Sequence, residues 1–452
     1  MNFIRLSLRE AEGKLRKGEV KVCLWGLGRV GLTVACLLAD AGVNVLALDP
    51  NPKLGSLVAS GETPYQEPGL EKLLRKALAR KKLSNPLSLK KAASESRIIV
   101  STVSARVSSA GSLDYAAIEK FCSEAGLGVN HGSLIVFTGT LTPGITEELA
   151  KPLLEERSGL KAGEDFGLAY SPIKASAGSV VADLTGKPLL LAGLDRRSFE
   201  KAEILFRFFA GGEIFKVNSI RAAEAAGLFQ EISQDVNLAL ANEFVRFCSK
   251  AKVSFREAAR ALSKLSTLNL QPGIACGEKP ALASKLLAGE GERLRVEAKL
   301  VKAARRVNEE TLGYVVKNIS RLMKEKGKPL SGARIILLGV SSRADIKEDR
   351  ASPARLLAAA LKRKGAKVKA WDPLYPLDEI RSLGYEPAVL WEALPKADCV
   401  IVTVGHQAFK KLKTRILSEL SATEEGILFD CSEAGIFAGT SSEKVTVSGL
   451  GF

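Results

Sequence analysis

Apolar residues recur along this chain in two rhythms. From Glu19 short β-rich runs alternate with amphipathic stretches: VKVCLWG, RVGLTVACLLADAG, VNVLALD, and later RIIVSTV, SLIVFTG and FGLAYSP. That alternation predicts parallel strands joined by crossover helices. Beyond Ser219 the strands stop. IRAAEAAGLFQEISQDVNLALANEFVRFCSKAKV holds apolar residues at helical spacing with no glycine or proline after Gly227, which predicts one long helix from about Ile220 to Lys250. A second helical pattern, EAKLVKAARRVNEETLGYVVKNISRLMKEKG, leads into KPLSG, read as a linker. The first rhythm then resumes with ARIILLGV, SPARLLAAALKRKG, KVKAWD, ADCVIVTV and GILFDC. The fold class is therefore α/β, with two doubly wound domains over 1–212 and 326–452 joined by a central helical section over 213–325.

The chain has 452 residues, 46% apolar and 26% charged, enough for more than one core and too mixed for a disordered or fibrous protein. Lysine and arginine number 66 against 50 acids, a net charge of +16, which favours acidic partners such as phosphorylated metabolites. The KKLSNPLSLKKA run has no interleaved aromatic residues, so it reads as a solvated connection and nucleic-acid binding is not expected. Seven scattered cysteines, never spaced as CxxC, point to neither a disulfide framework nor a zinc site and predict a reduced, cytoplasmic chain. No stretch reaches the ~18 uninterrupted apolar residues that a membrane helix needs, so no membrane span is expected. With His131 and His406 as the only histidines, a histidine metal site or a Ser-His-Asp triad has almost nothing to build on, and no metal is expected.

The first turn carries chemistry. Gly26, Gly28 and Gly31 form GxGxxG directly after a predicted strand and open a predicted helix. Bare backbone there can turn tightly, admit a pyrophosphate and aim N–H groups at it. Asp49 ends the next strand, placed to accept from a ribose 2′-hydroxyl and to repel a 2′-phosphate, so NAD is expected over NADP. The expected cofactor residues are Gly26, Leu27, Gly28, Arg29, Val30, Gly31 and Asp49. Near the other end the same order of strand, turn, helix, strand and Asp returns with Gly339 and Asp372, but without the glycine fingerprint. Its loop, GVSSRADIKEDRASP, brings Arg343, Lys347 and Arg350 near a helix start, where they either hold a second anionic group or are solvated charge. Glu67 in QEPGL reads as a helix-start carboxylate, and His406 as a structural residue.

GLGRVGLTVACLLADAG, ALDPNP, ETPYQEPGLEKLL, TGTLTPGITEELAKPLLEERSGLKAGEDFGLAYSP, AAEAAGLFQEISQDVNLALANE, ARRVNEE and DIKEDRASPARLL stand in matching order to the nucleotide-sugar 6-dehydrogenases. Over nearly its whole length the chain resembles the UDP-glucose/GDP-mannose dehydrogenase family. The resemblance implies two Rossmann-like domains, for NAD and for a UDP- or GDP-linked sugar, and a homodimer formed along the long helix. It also implies a four-electron oxidation of a sugar primary alcohol to a carboxylate. In that family a cysteine thiolate traps the aldehyde, the second hydride leaves a thioester, and an activated water releases the acid. A lysine and an asparagine on the long helix polarise the oxygens. An aspartate after the cysteine and a glutamate after Ser-Pro place protons and water.

Most of these groups are replaced. Ile173 follows Ser171-Pro172 where the family has glutamate; the lysine position holds Gly227 and the asparagine position Glu231. A cation and a neutral amide have become nothing and an anion, which repels a developing oxyanion. Aligned without gaps, the nucleophile position holds Glu278 and the aspartate position Leu282, with Cys276 two residues early. Cys276 is either a nucleophile on a rebuilt loop, its pKa lowered by Lys279, or an incidental thiol. Thr140 either touches cofactor or water or caps the helix after Pro143. Arg350 matches the family arginine before Ser-Pro and Arg343 its loop lysine, both expected at the nucleotide sugar. The expectation is an NAD-binding member of the family that cannot perform the usual oxidation, with an active paralogue as a partner. The alternative is an active 6-dehydrogenase with a rebuilt centre, using Cys276 or performing a single oxidation.

Overall fold

The structure is a computed structural model that describes residues 1–452 except Leu87, Ser109, Ala110, Thr267, Cys276, Gly277 and Glu424; Glu278 and Lys279 are described by their backbone alone. The chain forms two compact units, Met1–Gln230 with Lys285–Val296, and Glu231–Ser284 with Glu297–Phe452.

The first unit contains β1 (Lys21–Trp25), β2 (Asn44–Leu48), β3 (Leu83–Ser84), β4 (Ile98–Ser101), β5 (Arg106–Val107), β6 (Leu113–Asp114), β7 (Leu134–Phe137), β8 (Gly167–Tyr170), β9 (Leu189–Gly193) and β10 (Ile214–Lys216). Eight of them make one sheet in the order β10-β9-β8-β7-β4-β1-β2-β3, and β5 with β6 forms a separate hairpin. Only the β8–β9 pairing in that sheet is antiparallel. Its central strands are apolar on both faces, as parallel strands covered by helices must be: Ile98, Ile99, Val100 and Leu134 to Phe137 are all buried. The chain passes from β1 to β2 on one side, and β4 lies on the other. That reversal leaves a crevice at the carboxyl ends of β1 and β4, where ligands of open α/β sheets bind.

The expected long helix runs unbroken over Ile220–Ala251, a 32-residue element. In the second unit the helix Lys299–Glu325 buries Val315, Val316, Ile319 and Met323 in a core shared with Leu337, Leu357 and Leu361. There the strands are β11 (Arg334–Leu338), β12 (Lys367–Trp371), β13 (Glu386–Pro387), β14 (Cys399–Val402), β15 (Gly426–Asp430) and β16 (Val445–Gly449). They form a wholly parallel sheet in the order β13-β12-β11-β14-β15-β16. Ser352 starts the helix Pro353–Arg363 by accepting from the Ala354 N–H at 3.2 Å. Among the described residues no helix is long and apolar enough to cross a membrane, and no cluster of metal-ligating side chains occurs.

Candidate functional site

β1 runs into the glycine turn at Gly26, whose φ of +103° lies where L side chains rarely fit. A Cβ on Gly26 would stand 2.2 Å from Thr102 Oγ1, and one on Gly31 2.0 Å from the Gly26 carbonyl oxygen. Glycine is therefore required at both. A Cβ on Gly28 would meet nothing within 4 Å and would project into open space at the start of the helix Arg29–Asp40. A pyrophosphate needs that space, and the first-turn N–H groups facing it have no intrahelical acceptors. Asp49 accepts from the Leu27 N–H at 2.7 Å and from the Asn51 N–H at 2.8 Å, one on each oxygen. Each oxygen keeps a lone pair for a ribose hydroxyl. These residues fit NAD.

The turn is braced from behind. Tyr65 donates its hydroxyl to the Leu27 carbonyl at 3.1 Å, and Arg29 lies over the Tyr65 ring while pairing with Glu67. The buried Glu67 carboxylate also accepts from the Gly178 and Val180 N–H groups at 2.7 and 3.1 Å. Glu67 is thus a helix-start carboxylate, but for the distant helix Val180–Gly186 rather than for Leu70–Ala79, which directly follows it.

At the carboxyl end of β7, the Thr140 N–H donates to Ser104 Oγ at 3.0 Å and Lys174 Nζ donates to Thr140 Oγ1 at 3.1 Å. The start of the next helical segment is held by Glu224. It accepts from the Gly144 N–H at 2.5 Å, the Thr146 N–H at 2.9 Å and Thr146 Oγ1 at 2.6 Å. Burial pushes the Glu224 carboxyl up to about 7, although these donors pull it down. One turn further on, a Cβ at Gly227 would lie 2.5 Å from Pro172 Cβ, 3.2 Å from Pro172 Cγ and 3.5 Å from the Tyr170 hydroxyl oxygen. That hydroxyl donates to the Gly139 carbonyl at 2.9 Å. Ile173 is 5% exposed and belongs to the unit's hydrophobic core. At the two positions where the resemblance calls for a lysine and a glutamate, a side-chain carbon on Gly227 would thus meet Pro172, and Ile173 is packed into the core. Glu231 is also buried. Cys276 lies outside the described residues; Glu278 and Leu282 fall in the helix Glu278–Leu294. The Lys174 contact had no signal in the sequence beyond its place after Ser-Pro-Ile.

The second unit holds a cavity of about 570 Å³, lined by Asp235, Arg305, Arg343, Ser352, Arg355 and Glu433 among others. Arg343 is among its lining residues; Arg350, which is exposed, is not. Two further guanidinium groups line it that the motif comparison did not single out. Arg305 donates to Asp235 at 2.7 Å, and Asp235 also accepts from Ser284 Oγ at 2.8 Å and Asn308 Nδ2 at 2.9 Å. Arg355 donates to Asp349 at 2.6 Å. Three planar, permanently charged forks around one cavity suit a phosphate-bearing ligand. ARRVNEE and SPAR carry Arg305 and Arg355, but their convergence depends on the tertiary fold.

The second glycine turn is closed by its own carboxylate. Asp372 Oδ2 accepts from the Val340 N–H at 2.8 Å and from the Ser341 N–H and hydroxyl, both at 3.0 Å, and lies 3.2 Å from His406 Nε2. Burial works to raise the Asp372 carboxyl, but the His406 contact and the surrounding N–H groups prevail and hold it below its ordinary range. His406 is fully buried, and its Nδ1 accepts from the Asp345 N–H at 2.9 Å, as a structural histidine would.

A mainly parallel sheet whose strand order reverses at β1, a glycine turn at that reversal and a carboxylate ending the next strand define a Rossmann-type, dinucleotide-binding protein. The chain matches the NAD binding domain of the UDP-glucose/GDP-mannose dehydrogenase family over residues 20–210, the central domain over 221–310 and the UDP binding domain over 336–434. It belongs to that family, and NAD is its cofactor. The UDP-N-acetyl-D-mannosamine dehydrogenase of Methanococcus maripaludis is 26% identical over 412 residues, covering 91% of this chain and 92% of that protein. The Campylobacter jejuni protein of the same name is 29% identical over 406 residues, covering 87% and 97%. The solved UDP-D-ManNAc dehydrogenase from Pyrococcus horikoshii shares the fold, with a TM-score of 0.86 at 24% identity over 96% of this chain and 99% of that one.

Proposed function

We propose that this chain binds NAD at the Gly26–Gly31 turn and a UDP-linked sugar in the cavity lined by Arg305, Arg343 and Arg355, and does not perform the family's four-electron oxidation by the family's chemistry. The observation that carries this reading is the contact of Gly227 with Pro172. A lysine there has no room for its first side-chain carbon, and the burial of Ile173 supports the same conclusion for the missing carboxylate. NAD, when bound, supplies a hydride acceptor. The residues of the chain then bind and orient: Asp49 takes the ribose, the first turn of Arg29–Asp40 takes the pyrophosphate, and the arginine forks take the nucleotide phosphates. The three-part division at residues 212 and 325 belongs to this proposal, as does a homodimer along Ile220–Ala251. Phe229, Phe244 and Phe247 on that helix are exposed by 55%, 41% and 70%, which supports a covering partner.

The test is spectrophotometric. Purified protein with NAD and a panel of UDP- and GDP-sugars is followed at the NADH absorbance beside Cys276→Ala. The proposal expects no thiol-dependent NADH, with NAD and UDP-sugar binding still measurable by calorimetry; Cys276-dependent uronate formation overturns it. A second reading, a single two-electron oxidation, is favoured by Lys174, whose ammonium on Thr140 Oγ1 puts a cation at the carboxyl end of β7. It expects one NADH per sugar with an aldehyde trappable by hydroxylamine, lost in Lys174→Met.

A further inference from the structure

A second cavity, of about 540 Å³, lies on the sheet of the second unit, towards the amino ends of the strands. Arg343 and Ser352, by contrast, follow the carboxyl end of β11. β12 is hydrogen-bonded on both sides, to β11 and β13. Strands so placed in a parallel sheet are normally apolar on both faces. β12 instead alternates, with Lys367 and Lys369 exposed on one face and Val368 and Ala370 buried on the other. In register, Lys367 stands beside Arg334 and Lys369 beside Ile336. Lys369 stands opposite Glu386 of β13, so it does not guard a sheet edge, the usual reason for charge on a strand.

The groove over this face combines two properties. Its floor is apolar, with Ile336 and Ala397 buried and Val389 48% exposed. Its rim carries Arg334, Lys362, Lys367, Lys369 and Lys396 against Glu386 and Glu392. Arg334 is taken by Asp398 at 3.3 Å and Lys369 by Glu386 at 3.1 Å. Among the described residues no carboxylate pairs with Lys362, Lys367 or Lys396. The volume falls within the range of small-molecule sites. Among the described residues its lining contains no cysteine, histidine, serine or threonine, so the groove is read as a binding surface.

We infer that this groove binds a small organic anion of nucleotide size, its phosphate or carboxylate on the lysines and its apolar body on the Ile336–Val389 floor. The inference does not depend on catalytic activity. It is tested on the full chain, with NAD and UDP in saturating excess to occupy both family sites, by calorimetric titration of ATP and, separately, of inorganic tripolyphosphate. The expected result is one additional ATP site, with tripolyphosphate weaker for want of an apolar body. In the Lys367→Glu/Lys369→Glu variant ATP binding weakens about tenfold or more, the scale of a lost charge-assisted hydrogen bond, while NAD affinity is unchanged. Both lysines are exposed, so the variant keeps its core. Val389→Asp, at the floor, is expected to weaken ATP more than tripolyphosphate. Absence of an additional site, or equal ATP affinity in variant and parent, overturns the inference. So does a polyglutamate peptide that binds these lysines more tightly than ATP, which would assign the face to an acidic protein partner.

Discussion

Replacing Gly227 with alanine sets two effects of known size against each other. In an open helix interior the change stabilises by about 0.5–1 kcal/mol, because glycine has the most backbone freedom to lose on folding. At Gly227 the new carbon would lie 2.5 Å from Pro172 Cβ, well inside the ~3.5–4.0 Å at which carbon atoms attract. Pro172 is a ring closed onto its own backbone and cannot rotate away, and Tyr170 beside it is anchored on the Gly139 carbonyl. Overpacking of this kind costs about 1–3 kcal/mol, so the net expectation is a loss of about 1 kcal/mol. For a unit of this size that lowers the melting temperature by roughly 2–4 °C. Gly13, in the helix Leu8–Arg16 of the same unit, is the control: a Cβ there meets nothing within 4 Å, and Gly13→Ala should stabilise by about 0.5–1 kcal/mol. Urea unfolding of both variants, read by circular dichroism and by tryptophan fluorescence, measures the pair. If Gly227→Ala stabilises as much as Gly13→Ala, the position is open and the packing argument against a lysine there fails.

Three further substitutions probe the same unit. Glu67→Ala leaves Arg29 and the Gly178 and Val180 N–H groups without their shared acceptor. Breaking a buried pair costs about 3 kcal/mol or more, and weaker NAD binding should accompany it; parental stability in denaturant would count against the bracing role. Gly31→Ala places a methyl group 2.0 Å from a backbone oxygen and should abolish NAD binding in calorimetry, so an undiminished affinity would contradict the turn geometry. Glu224 predicts a pH effect. Its folded carboxyl, raised by burial to about 7 from 4.5, favours the protonated form. Its contribution to stability is therefore fully present below about pH 4.5 and is lost as pH rises through about 7, on the order of 3 kcal/mol at most. Unfolding free energies across that window should decline in the parent and flatten in Glu224→Gln; equal slopes would refute it.

How much of this was legible in the residues depends on the range of the interaction. The Gly26–Gly31 turn, Asp49 and the long helix were readable because glycine conformation, the β-to-α rhythm and helical periodicity are local. β9 and β10 were not. β9 is apolar in sequence, Leu189 to Ala192, but its antiparallel pairing in an otherwise parallel sheet is set by the fold, and two of the three residues of β10 are exposed, so that strand gave no strong apolar signature. β16, Val445–Gly449, is an edge strand with one buried residue and four half-buried ones, so its pattern is weak too. The glycine at position 227, where the resemblance calls for a lysine, could be read, but its packing against Pro172 could not, since the two meet only through the fold. Arg305 and Arg355 became visible as a pair only once the helix Lys299–Glu325 and the turn after β11 had brought them to one cavity.

The self-closing turn at Asp372 gives the molecule an internal thermometer. Its Oδ2 is already filled by donors of its own turn, and no glycine fingerprint precedes it, so added NAD is not expected to stabilise that half, whereas the half bearing Asp49 gains stability by mass action, about 2.7 kcal/mol at a hundredfold excess over Kd. In a calorimetric scan with added NAD, a transition that climbs therefore reports the NAD-binding half and one that stays put reports the other, so each can be followed without cutting the polypeptide.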